Sequence, residues 1–140
     1  MRSMVAGAAA GSMLQPCSPQ PEVAMPHFLA VYTMSPEALA GFRAMSKAEQ
    51  DAVDDKGLAA WTAWEEANAA SFPNHGGMVG KTLRVSKSGT APASNQIAGY
   101  IIVEAESIEA AAKLFEHHPH FTIFPGDGVD IMPFLAGPDL

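Results

Sequence analysis

The pattern of apolar and polar positions predicts four strands. Residues 27–33 are rich in aromatic and β-branched side chains, and residues 78–86 alternate, with Val79, Leu83 and Val85 on one face. Residues 98–104 form a nearly continuous apolar run, which predicts a strand that is buried on both faces. A last strand is expected over residues 129–134.

Capping signals place the helices between these strands. Ser35 followed by Pro36 opens a short helix that we expect to reach about Met45. Residues 46–49 match a capping box and open the longest helix, over residues 47–70, in which a glycine at 57 favours a bend. Ser107 caps a helix expected over residues 108–118. The apolar stripe of the long helix consists of Val53, Gly57, Ala60, Trp64 and Ala67, with Leu58 and Trp61 beside it.

The order of elements is strand, helices, strand, strand, helix, strand. This order predicts an α+β fold, the ferredoxin-like βαββαβ arrangement with an antiparallel sheet. Helices would cover one face of the sheet. Along the third strand, Tyr100 and Ile102 alternate with Ile101 and Val103, and neither set suits water, so we expect a second protomer to cover the other face.

Two segments fall outside this pattern of strands and helices. Residues 74–77 (Asn-His-Gly-Gly) predict a turn, and the polar stretch 86–96 predicts either a lid or a long hairpin loop. Residues 1–24 lack periodicity, and we interpret them as a disordered extension or the product of an upstream start codon, with a signal peptide as the alternative. The folded domain is then 25–140, and the single Cys17 lies outside it.

Composition narrows the possible partners. The net charge is −7, which opposes non-specific binding to nucleic acid or to an anionic membrane surface. No run of 18 apolar residues exists to span a membrane, and one cysteine cannot form an internal disulfide, so a cytoplasmic location is the expectation. Charged residues make up only 16% of the chain, which favours a large protected surface and hence a homodimer.

Six segments between residues 26 and 134 carry a resemblance to a known family. They are residues 28–32 (Phe-Leu-Ala-Val-Tyr), 58–64 (Leu-Ala-Ala-Trp-Thr-Ala-Trp), 80–85 (Gly-Lys-Thr-Leu-Arg-Val), 98–111, 117–119 (His-His-Pro) and 128–133 (Gly-Val-Asp-Ile-Met-Pro). In these segments the chain resembles the YCII-related family, also called DGPF-domain proteins. The resemblance implies a dimeric α/β barrel of two ferredoxin-like protomers, with pockets between sheet and helices. Most members have no assigned activity, and a few relatives act on small aromatic rings, including dehydrochlorination.

The chain departs from the better studied branch of that family, which carries a His and Asp pair proposed as catalytic. Where that branch has a helical histidine, residues 61–64 offer none. The aspartate of its Asp-Pro motif is matched by His118 before Pro119. The mechanism of that branch is therefore not carried over to this chain.

Histidines near residue 118 are the densest titratable cluster. His118 and His120 are candidates for catalytic acid-base chemistry, because imidazole titrates near neutral pH. The alternative is structural: the cluster sits at a predicted helix C-terminus, where the helix dipole favours a protonated imidazole and capping accounts for His117. His118 continues the apolar stripe of Phe115 and is expected to point inward. A metal site completed by His27 or Asp127 lacks the usual ligand spacing, so we predict no metal and no cofactor.

Four further residues are candidates to bind a ligand. Arg84 shares a hairpin with Lys81 and Lys87, and its planar guanidinium suits a carboxylate or phosphate, although a solvated strand edge explains the same charges. Trp61 and Trp64 can line a pocket for a flat ligand or can pack in the core. Tyr100 completes the predicted pocket, while the acids Glu49, Asp51, Asp54 and Asp55 are interpreted as a solvated helix face.

The sequence therefore predicts a homodimer that binds a small aromatic or anionic molecule between sheet and helices. Chemistry, if present, would be a lyase or isomerase step in which His118 or His120 moves a proton. No nucleophile motif, phosphate loop or dinucleotide fingerprint points elsewhere. The rival hypothesis is a non-catalytic ligand-binding or regulatory protein in which these histidines are inert.

Overall fold

The computed structural model describes residues 25–135, so the predictions for residues 1–24, including Cys17, and for residues 136–140 lie outside the described part of the chain. No helix in the described part is long and apolar enough to cross a membrane. The elements, in chain order, are β1 (His27–Thr33), α1 (Pro36–Arg43), α2 (Lys47–Ala67), a 3₁₀ turn (Ala69–Ser71), β2 (Asn74–Met78), β3 (Thr82–Ser86), β4 (Gly89–Ala93), β5 (Ile97–Glu104), α3 (Ile108–Lys113), α4 (Pro119–Thr122) and β6 (Gly128–Pro133).

Four strands form one sheet in the order β2-β5-β1-β6, and each neighbouring pair is antiparallel. This order is compatible with the predicted ferredoxin-like arrangement. The sheet and the helices enclose one core. Its buried members are Phe28, Ala30, Tyr32, Phe72, Ile101, Val103, Ala105, Ala111 and Phe115, with Trp61 and Trp64 packed against them.

The predicted helix starts are confirmed by their hydrogen bonds. The Ser35 side chain accepts a hydrogen bond from the backbone N–H of Ala38. In the predicted capping box, the Ser46 hydroxyl accepts from the backbone N–H of Glu49, and the Glu49 carboxylate accepts from the backbone N–H of Ser46. Gly57 is the buried residue of α2, and a Cβ there would overlap the ring of Phe124. The close approach of Phe124 therefore explains why glycine occupies this position. The sequence had suggested a helix bend as the reason.

The prediction for the second strand is only partly right, because residues 82–86 form a strand that lies outside the main sheet. The chain forms β2 where the sequence predicted a turn. The segment predicted to be one strand followed by a polar loop instead contains a separate hairpin, β3–β4. Gly76 allows β2 to form, because its φ of +60° favours glycine. Its N–H donates to the side-chain oxygen of Asn74, and the pairing register between β2 and β5 shifts between Asn74 and Gly77. The alternating Leu83 and Val85, predicted to share one face of the strand, are both exposed.

The prediction that β5 is buried on both faces is not met within one chain. Ile101 and Val103 are almost completely buried under the helices, whereas Tyr100 and Ile102 are only half-buried. Register places Ile102 beside Leu29 and Tyr100 beside Val31 on the opposite face. We call this surface the open sheet face.

The last predicted helix ends early. It stops at Lys113, and after a turn in which His117 has φ 62°, α4 begins at Pro119 with His118 as its N-cap. Proline disfavours helical backbone in the residue before it, which explains why His118 is extended. The expectation that His118 lies at a helix C-terminus is therefore wrong, since it begins a helix.

Candidate functional site

A cavity of about 520 Å³ lies between α2 and the β2 end of the sheet. The end of β1 and the segment from α4 to Phe124 close its inner side. This volume is within the range of pockets that hold small molecules. The lining residues are Tyr32, Met34, Asp54, Leu58, Trp61, Thr62, Glu65, His75, Gly76, Gly77, Met78, Tyr100, His120 and Phe124.

One helix supplies the longest wall of the cavity. Asp54, Leu58, Trp61 and Glu65 follow each other at steps of four, three and four residues along α2, so they share one helical face. The two carboxylates stand at the ends of this stripe and the apolar side chains lie between them. Asp54, which the sequence suggested to be part of a solvated face, is half-buried at the cavity.

His120 lines the cavity and is 1% exposed. Its Nε2 lies 2.7 Å from the carbonyl oxygen of Thr33. Because a carbonyl only accepts, Nε2 carries the proton, and the neutral ring keeps a lone pair on Nδ1. Burial lowers the pKa of His120, against the opposing effects of the Thr33 carbonyl and Asp127. The imidazole is therefore a neutral base at pH 7. Gly126 packs on this ring, since a Cβ there would overlap it.

His118 occupies a different environment, although it is only two residues away. Its Nδ1 accepts the backbone N–H of His120 at 2.9 Å, so the remaining proton is on Nε2, which has no hydrogen-bond partner among the described residues. The ring is fully buried, with Trp64 4.3 Å and Trp61 4.6 Å away between ring centroids. Burial, together with His120, lowers the pKa of His118 to about 4. His118 does not line the cavity.

Tyr32 joins the two histidines. Its ring centroid is 5.2 Å from that of His118 and 5.1 Å from that of His120. The residue is 2% exposed, it lines the cavity, and its hydroxyl has no hydrogen-bond partner within the described chain. Burial raises the pKa of Tyr32, and the negative charge of Glu65 raises it further. The hydroxyl therefore stays protonated, and its capacity to donate and accept a hydrogen bond is unused within the described chain.

The remaining predicted site residues are divided between the cavity and other places. Trp61 and Tyr100 line the cavity, and the Tyr100 backbone carbonyl lies against Gly76. Trp64 does not line it: its Nε1 donates to the carbonyl of Leu114 at 2.6 Å, and its ring packs on Phe72. Arg84 is exposed on β3 and is not among the lining residues.

Sequence reasoning missed several lining residues, chiefly Tyr32, Glu65, His75 and Phe124. The spacing of Asp54, Leu58, Trp61 and Glu65 was a usable signal on α2. Phe124 had no comparable signal, because it reaches the cavity only through the fold. Within residues 25–135 no three histidine, cysteine or acidic side chains are grouped to hold a metal ion.

Comparison with known proteins gives a distant structural similarity. No family model matches the chain, and no curated protein sequence does. Among solved structures, the chain is similar to 5-chloro-2-hydroxyhydroquinone dehydrochlorinase (TftG) from Burkholderia phenoliruptrix AC1100, in complex with 2,5-dihydroxybenzoquinone. The TM-score is 0.48 at 18% identity, covering 81% of this chain and 97% of that chain. A similarity of this size assigns neither a family nor an activity.

Proposed function

We propose that this chain is a YCII-like protein that binds a small aromatic molecule in the cavity and moves a proton with His120. One observation carries the proposal. A cavity with aromatic walls meets, at its inner end, a neutral imidazole with a free lone pair and an unpaired tyrosine hydroxyl. Pockets that are mostly apolar and contain a few convergent polar groups are typical ligand sites.

The two polar groups suit complementary roles. Nδ1 of His120 accepts a proton from a ring hydroxyl, while Nε2–H stays bonded to Thr33 and holds the ring in place. The Tyr32 hydroxyl donates a hydrogen bond to a ring oxygen as negative charge develops there. His118 has no part in this step, because one of its nitrogens caps α4 and the other is enclosed by aromatic rings.

The sequence also allowed an anionic ligand, held by Arg84. That part of the hypothesis loses its support, since Arg84 lies on the separate hairpin and the cavity lining contains two carboxylates and no lysine or arginine. An aromatic ligand remains, favoured by Trp61 and Phe124, whose ring centroids are 6.0 Å apart.

Binding is tested by titrating the full-length protein with phenol, and with cyclohexanol as a control of similar size, followed by tryptophan fluorescence and NMR. We expect phenol to bind tighter, and Trp61→Ala to weaken it about tenfold. Ala63→Ser, at an exposed position that does not line the cavity, is the matched control. Equal affinity for the two compounds would contradict the aromatic specificity.

Proton transfer is tested with resorcinol, whose ring hydrogens exchange with deuterium once a hydroxyl is deprotonated. The protein should accelerate this exchange in heavy water, and His120→Gln should remove the acceleration. His117→Gln changes an exposed histidine outside the cavity and should have no effect. If resorcinol binds but no exchange is catalysed, the acid-base role fails.

The rival function, ligand binding without catalysis, has one observation in its favour. Two of the polar aromatic side chains predicted for the site are used by the fold, since His118 caps α4 and Trp64 is bonded to Leu114. A binding protein needs no base, and His120→Gln would then leave both affinity and function intact. The resorcinol experiment separates the two functions.

Homodimer formation through the open sheet face is part of the proposal. Leu29, Ile102 and Met132 lie side by side on this face, and none of them is buried within one chain. Such a contiguous apolar surface favours burial against a second copy. Light scattering on the full-length protein should give a dimer mass, and Ile102→Glu should give a monomer. A wild-type monomer at micromolar concentration would contradict the dimer.

A further inference from the structure

We propose that the cavity selects organic amines, that is, ligands with an apolar body and a protonated amino group. This inference rests on the proposed binding function and adds the charge of the ligand. It differs from the anionic ligand that the basic hairpin suggested.

The charges at the cavity have one sign. Asp54 and Glu65 line it, and the lining contains no lysine or arginine. Within residues 25–135 neither carboxylate has an ion-pair partner, because the salt bridges found there join His27 to Glu104 and Lys47 to Asp51. Two unpaired carboxylates at one cavity raise the local concentration of cations and repel anions.

The geometry places the amine at the Glu65 end of the cavity. Trp61 precedes Glu65 by one helical turn on the same face of α2, and the Tyr32 ring lies 4.9 Å from the Trp61 ring. The Tyr32 hydroxyl is buried and without a partner, and its oxygen can accept from an ammonium group. Glu65 would supply the charge, Tyr32 a hydrogen bond and Trp61 an aromatic surface, which are the elements of ammonium recognition.

The middle of the cavity fits the apolar body of such a ligand. Leu58 and Trp61 lie on α2 between the carboxylates, whose positions are about 16 Å apart along the helix axis. Met34, Met78 and Phe124 are further apolar side chains that line the cavity. A one-ring amine therefore engages one carboxylate and leaves its ring against this apolar wall.

The test compares three ligands of similar size and different charge: 2-phenylethylamine, 2-phenylethanol and 3-phenylpropionate. Each is titrated into the full-length protein by calorimetry at pH 7. We expect the amine to bind at least about tenfold tighter than the alcohol, and the carboxylate to bind weakest. Glu65→Gln should remove most of the preference for the amine over the alcohol.

Glu66→Gln is the matched control, because Glu66 is the exposed neighbour of Glu65 and does not line the cavity. If Glu66→Gln weakens amine binding as much as Glu65→Gln, the preference arises from the overall acidity of the protein, and the inference is overturned. If the alcohol binds as tightly as the amine, charge selection fails while the aromatic site stands. If none of the three binds, both the inference and the proposed function fall.

Discussion

Two histidines that are two residues apart lie in two contrasting regions. The closed cluster, formed by His118 with Tyr32, Trp64 and Phe115, contains a fully buried ring that is engaged by the start of α4. The open cavity, described above, contains His120, whose anchoring bond to Thr33 leaves one nitrogen free. Both rings are neutral at pH 7, so protonation state alone does not distinguish structure from function. The decisive difference is that His120 lines the cavity and has a ring nitrogen without a hydrogen bond, whereas His118 does not line the cavity.

The strongest test of this contrast is to remove the ring from the closed cluster. His118→Ala should lower the free energy of unfolding by about 3 kcal/mol, because it removes the N-cap of α4 and leaves a void among aromatic rings. Urea denaturation of the full-length protein measures this loss. His118→Asn keeps a capping side chain and should recover about 1 kcal/mol. Equal stability of both variants would contradict the capping role.

Lowering the pH should reduce the stability of the closed cluster around His118. The folded-state pKa of His118 is about 4, below its ordinary value of 6.5, so the unfolded chain binds more protons between these values. The stability contributed by the neutral ring is complete above pH 6.5 and is lost as the pH falls towards 4, by about 3 kcal/mol in total. Denaturation curves at several pH values test this.

The control for the acid effect is His118→Asn, which removes the titrating group. Its stability should fall less steeply between pH 6.5 and 4. His120 and Glu49, whose pKa values are also lowered, contribute to the remaining slope. An unchanged slope in His118→Asn would show that the buried ring is not the group that titrates.

A glycine sets the distance between α2 and the inner end of the cavity. Gly57→Ala should destabilise the protein by about 1 to 3 kcal/mol, since the new Cβ overlaps the Phe124 ring. Gly41→Ala in α1 is the matched control, because its Cβ meets nothing within 4 Å, and it should stabilise by up to about 1 kcal/mol. Thermal unfolding compares the two variants. Equal effects would mean that Phe124 moves away freely.

The smallest expected effects are those of replacing each of the two tryptophans by phenylalanine. Trp61 lines the cavity, whereas Trp64 belongs to the closed cluster and donates to Leu114. Trp61→Phe should remove the fluorescence change that a bound ligand causes and lower affinity only about threefold, because an aromatic ring is kept. Trp64→Phe should retain the fluorescence change and lose about 1 kcal/mol of stability. A signal that disappears in Trp64→Phe instead would reverse this assignment.

Local patterns predicted much of the fold. The caps at Ser35, Ser46 and Ser107 and the bounds of β1 follow from residues at most three positions apart. The second strand was mispredicted because the strand in the sheet, β2, carries a turn-like sequence, and its bulge at Gly76 is stabilised by pairing with β5. The alternation of residues 82–86 is real, but it forms a hairpin of its own.

The candidate site was only partly predictable for the same reason. His118 was correctly expected to point inward, because the apolar stripe continues to it, but the role of its nitrogens depends on the turn before Pro119. Arg84 was selected by residue type, and its strand is not in the main sheet. Tyr32 was treated as an ordinary strand residue, because nothing near it in sequence shows that its hydroxyl lacks a partner.

The sequence by itself determined the starts of α1, α2 and α3, the central strands and the presence of titratable rings after α3, since capping and alternation act between near neighbours in the chain. Only the tertiary structure decided which histidine meets a cavity. His120 reaches Thr33 across 87 residues, and Trp64 reaches Leu114 across 50. Such contacts depend on how the sheet closes against the helices, and no local pattern of side chains encodes which ring nitrogen is left free.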